Sequence, residues 1–199
     1  MSTSFKVVGY YTKNSLYTQE AARMKESLLK YSIPHDVEGL EDFGSWYANT
    51  NFKPTFLRMM DEKYPDMPIV YVDCDAVFQA YPHLFDIYAC DESVKVAVHE
   101  FDAARNYGAG RGTEILSGTV YLRHGETRKQ LLKAWEERCI SCPTTWDQKS
   151  LRVVLGRNFT NLPGEYCKIF DRMKYIENPI IVHNQASRKV RNKFIPVTS

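Results

Sequence analysis

The run Pro68-Ile69-Val70-Tyr71-Val72-Asp73-Cys74-Asp75-Ala76-Val77-Phe78 constrains this chain more than any other stretch. Apolar, β-branched and aromatic residues entered from a proline predict a buried strand of a parallel sheet. Carboxylates then follow at i and i+2. In an extended chain, side chains two apart point the same way. Asp73 and Asp75 are therefore expected on one side at the carboxyl end of the strand, with Cys74 on the other. That edge is where open α/β sheets bind ligands. Adjacent carboxylates repel unless a positive charge lies between them. A divalent cation carrying an anionic ligand, such as a diphosphate, meets both the charge and the geometry. A D-x-D can also do no more than end a strand and begin a turn. The apolar Ala76-Val77-Phe78 directly behind the pair argues against a solvated turn.

The rest of the chain supplies the alternation that a parallel sheet needs. Phe5 to Thr12 reads as a first strand, and Lys13-Asn14-Ser15 starts a helix. Tyr17, Ala21, Met24, Leu28 and Tyr31 form its apolar stripe. Ile33-Pro34 stops the helix, and His35 to Leu40 is a second strand. Glu41 to Thr50 is polar and aromatic without a period and reads as a loop. Pro54 fits the first turn of a helix carrying Phe56, Met59 and Met60 inward up to Tyr64. Beyond the carboxylates, Tyr81 to Phe85 is a connection or short helix, and Val94 to His99 alternates like a strand. Asp102 to Gly112 lacks either period; its glycines, Arg105 and Arg111 suit a lid that closes over phosphate charge, or an insertion. Ile115 to Leu122 is a strand in which Ser117-Gly118 permits close approach of a ligand or another backbone. A helix over 126–138 buries Leu131, Leu132 and Trp135. Thr145 and Gln148 have the spacing of a capping box, which places Asp147 at the second helical position. Leu151, Val154 and Leu155 give this helix its apolar face, and Gly156 its stop. Pro179 to His183 is a short buried strand leading into a basic tail, Asn184 to Lys193.

The totals exclude more than they assign. At 199 residues the chain is expected to form one domain, α/β in class. A composition 44% hydrophobic and 25% charged, with a formal net charge of +2, is ordinary for a globular protein and gives no sign of a nucleic-acid binder. The cysteines at 74, 90, 139, 142 and 167 are odd in number, and the lone C-x-x-C at 139–142 has no second pair to complete a zinc site. Reduced, structural thiols are expected. No signal peptide and no membrane span are visible, so the cytosol is the default compartment.

Several motifs taken in order resemble the GT-A nucleotide-diphospho-sugar glycosyltransferases. They are the Tyr-Tyr-Thr strand end, Phe-Lys-Pro before a helix, Val-Tyr-Val-Asp-Cys-Asp, Leu-Ser-Gly-Thr-Val-Tyr-Leu, Trp-Asp-Gln-Lys-Ser-Leu, and the late Ile-Val-His-Asn-Gln-Ala-Ser-Arg-Lys. The resemblance covers nearly the whole chain. It implies a Rossmann-like, mostly parallel mixed sheet flanked by helices, and transfer of a sugar from a nucleoside-diphosphate sugar, UDP-linked, to a glycan, lipid-linked or protein acceptor. It also implies Mn²⁺ or Mg²⁺ on Asp73 and Asp75, with His183 completing the metal site. Tyr11 and Thr12 would flank the nucleobase. Lys53, Cys74, Ser117 and Gly118 would line the donor site, and Arg188 and Lys189 would hold the diphosphate. Asp147 would border the sugar and the acceptor as the catalytic group, positioning and stabilising charge rather than abstracting a proton. The basic tail could reach anionic lipid.

Two other classes fit parts of the sequence. Asp73-Cys-Asp-Ala-Val77 matches the nucleophile loop of a haloacid-dehalogenase-type phosphatase, whose Mg²⁺ needs a later acidic pair. The strand that would carry that pair ends in His183-Asn184 instead. A non-catalytic carbohydrate-binding module would suit the 13% aromatic content but has no use for the D-x-D.

Overall fold

The computed structural model describes residues 4–108 and 112–186. Among these, β1 (Lys6–Thr12), α1 (Leu16–Lys30) and β2 (His35–Leu40) form the expected opening unit. Ser15 caps α1, its hydroxyl accepting from the Tyr17 N–H at 3.1 Å and donating to the Thr12 carbonyl at 2.6 Å. Next come α2 (Trp46–Asn51), α3 (Lys53–Lys63), β3 (Ile69–Val72), β4 (Ala76–Phe78), α4 (His83–Cys90), β5 (Val96–Asp102) and α5 (Ala103–Tyr107). They are followed by β6 (Thr113–Leu122), α6 (Glu126–Ser141), α7 (Asp147–Leu155), β7 (Thr160–Asn161), β8 (Lys168–Ile169) and β9 (Ile181–His183).

A six-stranded sheet has the order β2-β1-β3-β6-β5-β7, and a three-stranded sheet the order β4-β9-β8. In the larger sheet β6 pairs antiparallel with β3 and β5, while β1 with β2, β1 with β3 and β5 with β7 pair parallel. All its strands except β6 therefore run one way. From β1 the chain crosses to β2 on one side and to β3 on the other, so the switch point lies between β1 and β3. Successive residues of these strands serve opposite faces. Val8, Tyr10, Ile69 and Tyr71 join one core with Phe56, Leu132, Trp135 and Leu151 from α3, α6 and α7. Val7, Val70 and Val72 join another with Met24, Leu28 and Phe85 from α1 and α4. Burial on both faces accounts for the unbroken apolar runs. Gly9 is required where β1 meets the end of β3: a Cβ there would lie 2.7 Å from the Val72 carbonyl oxygen.

The expectation that Asp73 and Asp75 share one side of an extended strand end, with no turn before Ala76-Val77-Phe78, fails. β3 stops at Val72, the chain turns with Ala76 N–H donating to the Asp73 carbonyl at 3.0 Å, and β4 pairs antiparallel with β9 in the smaller sheet. The apolar Ala-Val-Phe thus marked the next strand, not the continuation of the last. The segment 41–50 is not wholly loop either. Ser45 caps the short α2 by accepting from the Ala48 N–H at 3.0 Å, and six residues are too few to display a period. Met59 faces solvent at 43% exposure, because the inward face of α3 is Lys53, Phe56, Leu57 and Met60. At Asp102 the expected aperiodic loop begins as α5, the Asp102 carboxylate accepting from the Arg105 N–H at 2.9 Å. Arg105 stacks 3.5 Å from the ring centre of Tyr175. Arg111 lies outside the described residues. Among the described residues no helix is long and apolar enough to cross a membrane.

Candidate active site

The carboxyl ends of β1 and β3, the middle of β6 and the start of α7 enclose a cleft of about 520 Å³. Its floor is a buried lysine. Lys53, 3% exposed, directs Nζ 2.7 Å from Asp147 Oδ2 and 3.1 Å from Asp73 Oδ1, with the Ser117 carbonyl and hydroxyl oxygens each at 3.2 Å. Burial alone would strip its proton, but the Asp147 and Asp73 carboxylates outweigh that cost and raise its pKa well above the ordinary lysine range. Ser117 Oγ donates to the same Asp147 Oδ2 at 2.7 Å. Trp135 Nε1, buried in α6, donates to the Asp147 carbonyl at 3.0 Å and fixes the start of α7. That start is one residue later than the capping-box spacing predicts. Trp146, extended at φ −70° and ψ 156°, is the N-cap, no side chain closes the cap, and Asp147 is the first helical residue. Its side chain is committed to Lys53 and Ser117, so the helix dipole is not its only partner.

The carboxylates of the D-x-D face different neighbours, because they sit in a turn and not on a strand. Tyr71 OH donates to Asp73 Oδ1 at 2.9 Å, beside Lys53. Burial first, then Asp73, keeps the Tyr71 phenol protonated by raising its pKa well above the usual value. Asp73 Oδ2 is left facing Gly118. A Cβ on Gly118 would lie 3.2 Å from that oxygen, 3.2 Å from His183 Nδ1 and 3.0 Å from His183 Cε1. Asp73 and His183 thus converge on the space that the glycine leaves open.

Asp75 Oδ2 accepts from the Ala186 N–H at 2.8 Å, and its Oδ1 lies 3.7 Å from His183 Nδ1. Burial would raise the Asp75 pKa, but His183, the Ala186 N–H and Lys53 hold it below the usual carboxylate range. His183 Nε2 is 2.9 Å from Thr119 Oγ1, which fixes the ring and turns Nδ1 toward Asp75. Burial opposes a charged imidazole there; Cys167 and Asp75 outweigh it and push its pKa up to about 10.

Among the described residues, no three His, Cys, Asp or Glu side chains already stand together as a closed metal cage. What exists is an open donor set: Asp73 Oδ2 and His183 Nδ1 each 3.2 Å from the point a Gly118 Cβ would occupy, with Asp75 Oδ1 3.7 Å from His183 Nδ1. Two carboxylates and an imidazole fit a divalent cation whose remaining ligands come from elsewhere, provided the cation displaces the proton that Cys167 and Asp75 otherwise hold on His183.

Of the residues singled out in the sequence, Tyr11, Thr12, Lys53, Asp73, Cys74, Asp75, Ser117 and Asp147 line this cleft, and Gly118 and His183 adjoin it. Cys74 is 9% exposed; burial, then Asp75 and Asp73, push its thiol pKa well up, so it is a neutral lining group. Arg188 and Lys189 lie outside the described residues. The sequence reading missed Trp46, Trp146, Gln148 and Gln185, which line the same space. The aromatic density of 43–47 and the position of Trp146 beside Asp147 were the available signals.

Comparison with known proteins bears on this geometry. The family model of nucleotide-diphospho-sugar transferases matches residues 65–195. No curated protein sequence matches the chain. Among solved structures, the chain is similar to a glycosyltransferase involved in glycosylation of the major capsid of PBCV-1, with a TM-score of 0.71 at 15% identity, covering 95% of this chain and 97% of that one. It is similar to the galactosyltransferase LgtC, solved with donor and acceptor sugar analogues, with a TM-score of 0.60 at 11% identity over 90% of this chain and 86% of that one. Mouse xyloside xylosyltransferase 1 gives a TM-score of 0.57 at 12% identity over 92% and 98% of the two chains. At these identities the likeness is one of fold.

Proposed function

The chain belongs to the nucleotide-diphospho-sugar transferase family, and from that premise we propose that it moves a sugar from a UDP-sugar to a hydroxyl of a sugar acceptor, with Mn²⁺ or Mg²⁺ held by Asp73, Asp75 and His183. Glycosyl transfer is the activity of the family, and the fold is that of GT-A enzymes. The observation that carries the finer reading is the convergence of Asp73 Oδ2 and His183 Nδ1 on the space above Gly118, beside the buried Lys53 and Asp147 pair.

In this reading Tyr11 and Thr12, at the end of β1, take the nucleobase, and Arg188 and Lys189 supply positive charge to the diphosphate. When bound, the cation neutralises the diphosphate and the leaving nucleoside diphosphate. Asp75 and His183 present their atoms to it from the smaller sheet. Tyr71 and Lys53 turn Asp73 so that Oδ2 faces outward. Asp147 Oδ2 already accepts hydrogen bonds from Lys53 and Ser117, which fixes the position of its carboxylate. Its work is to orient hydroxyls and stabilise the positive charge that develops on the sugar ring.

The test is metal-dependent donor binding. UDP at about 100 times its Kd adds about 2.7 kcal/mol of stability, a melting shift on the order of 5–11 °C for a chain of this length. EDTA or Asp75→Ala should remove most of that shift; an equal shift with and without metal rules the metal site out. Asp147→Asn keeps the shape but weakens the hold on Lys53. Transfer should slow by roughly 10²-fold or more, with UDP affinity near that of the unaltered protein. Transfer within about threefold of the parent rate, read in single-turnover assays, would return Asp147 to a purely structural role.

A further inference from the structure

The cleft contains an aromatic feature that donor binding does not use. Of the three tryptophans in the chain, Trp135 is fully buried, while Trp46 and Trp146 are half-buried and line the cleft. They come from separate elements, the first turn of α2 and the N-cap of α7. Their ring centres are 6.3 Å apart with the planes at 80°. The two elements are tied together: Asn51 Nδ2 donates to the Pro143 carbonyl at 3.2 Å and the Thr145 carbonyl at 3.0 Å. On the other side, Tyr10 OH donates to the Asn49 carbonyl at 2.6 Å and holds α2 against the end of β1. The indoles are therefore held at a fixed separation at the mouth of the site.

We infer that Trp46 and Trp146 form the acceptor subsite, an indole corner that stacks on the C–H face of a pyranose ring in a saccharide acceptor. The inference rests on the transferase reading and adds to it the place and chemistry of the acceptor. Location is the first argument. Trp146 and Asp147 both line the cleft, so a ring resting on Trp146 shares that space with the Asp147 carboxylate held by Lys53. The chemistry of the rim is the second. Gln148 and Glu114 line the cleft beside the indoles, within 3.5 Å of one another, and offer hydrogen bonds to equatorial hydroxyls. An aromatic platform edged by a few polar groups suits a sugar, which has an apolar face and a polar perimeter. A lipid chain would need continuous apolar lining, which this cleft lacks. The exposed Lys149 ammonium, on a flexible side chain that a sugar ring can displace, lies 4.5 Å from the ring centre of the half-buried Trp146.

The experiment is saturation-transfer NMR on the full chain with UDP and Mn²⁺, using the methyl β-pyranosides of glucose, galactose and xylose as probes. At least one should receive saturation on its ring C–H protons. Trp146→Ala and Trp46→Ala should each weaken that glycoside's binding by about fivefold, and Trp146→Tyr should restore part of it. The loss should fall on the glycoside and not on UDP, measured by calorimetry in the same samples. No transfer to any of the three glycosides, or undiminished transfer in both alanine variants, overturns the inference. So does a loss of UDP affinity with glycoside binding unchanged, which would assign the indoles to the nucleobase. A parent protein that binds no UDP with Mn²⁺ would overturn the proposed UDP-sugar reading, on which the subsite rests.

Discussion

Lys53→Met should lower the stability of the protein by about 3 kcal/mol, the low end of the range for removing one partner of a buried ion pair. Methionine fills much of the lysine volume but leaves Asp147, whose side chain is 7% exposed, without its counter-charge. Asp73, with a side chain 40% exposed, recovers some hydration, which keeps the cost at the lower end. For a chain of this size the melting temperature should drop by roughly 6–12 °C. The pair reading makes a second demand. In the double variant with Asp147→Asn, the added loss should be smaller than the single losses combined by about 1 kcal/mol or more, because the stranded carboxylate is gone. Additive losses in thermal or urea unfolding would mean that Lys53 acts through packing alone.

Gly118→Ala should do the reverse, sparing the fold and weakening donor binding. Gly118 lies within β6 and is not among the glycines with positive φ, so a side chain there meets no left-handed backbone strain. What the methyl meets is the site itself: Asp73 Oδ2 and His183 Nδ1 at 3.2 Å, both tighter than ordinary contact. The space between the opposed donors closes, and the cation is displaced or held off-centre. The melting temperature without ligand should stay within about 2 °C of the parent. The UDP shift with Mn²⁺ should fall by more than half, corresponding to a loss of about tenfold or more in affinity. A variant that kept the full metal-dependent shift would show that the cation does not sit over Gly118.

The contrast between these variants reflects what the sequence could display. The β1–α1–β2 opening and the two-sided burial of β3 were legible because alternation and apolar runs are local. Asp73, Asp75 and Ser117-Gly118 were legible as a set, and His183 as their partner by resemblance. The D-x-D geometry was not, since Ala76-Val77-Phe78 continues a strand and begins a new one with equal ease. Lys53 was placed at the donor site by resemblance, but its burial between two carboxylates was not legible, because those come from β3 and α7. The capping pattern at Thr145 was genuine in composition, yet the anchoring of Asp147 by Trp135, Lys53 and Ser117 sets the helix start one residue on. Trp46 and Trp146 lie in segments with no period, where exposure cannot be read from spacing.

The turn at Asp73 separates two sheets, and that separation gives the site a weak seam. Asp73 belongs to the rim of the large sheet, while Asp75 and His183 are held by the pairing of β4 with β9, three residues against three. The hydrogen bond from the Ala186 N–H to the Asp75 carboxylate closes a chain separation of 111 residues. Loop closure of that length is among the costliest contacts the fold makes, and so few ladder bonds return little for it. Fraying of β9 alone would part His183 from Asp73 while the six-stranded sheet stayed intact. Under the proposed metal site, a cation bridging Asp73 to Asp75 and His183 would also be a clasp between the sheets, and occupancy of the site and closure of the seam would become one equilibrium.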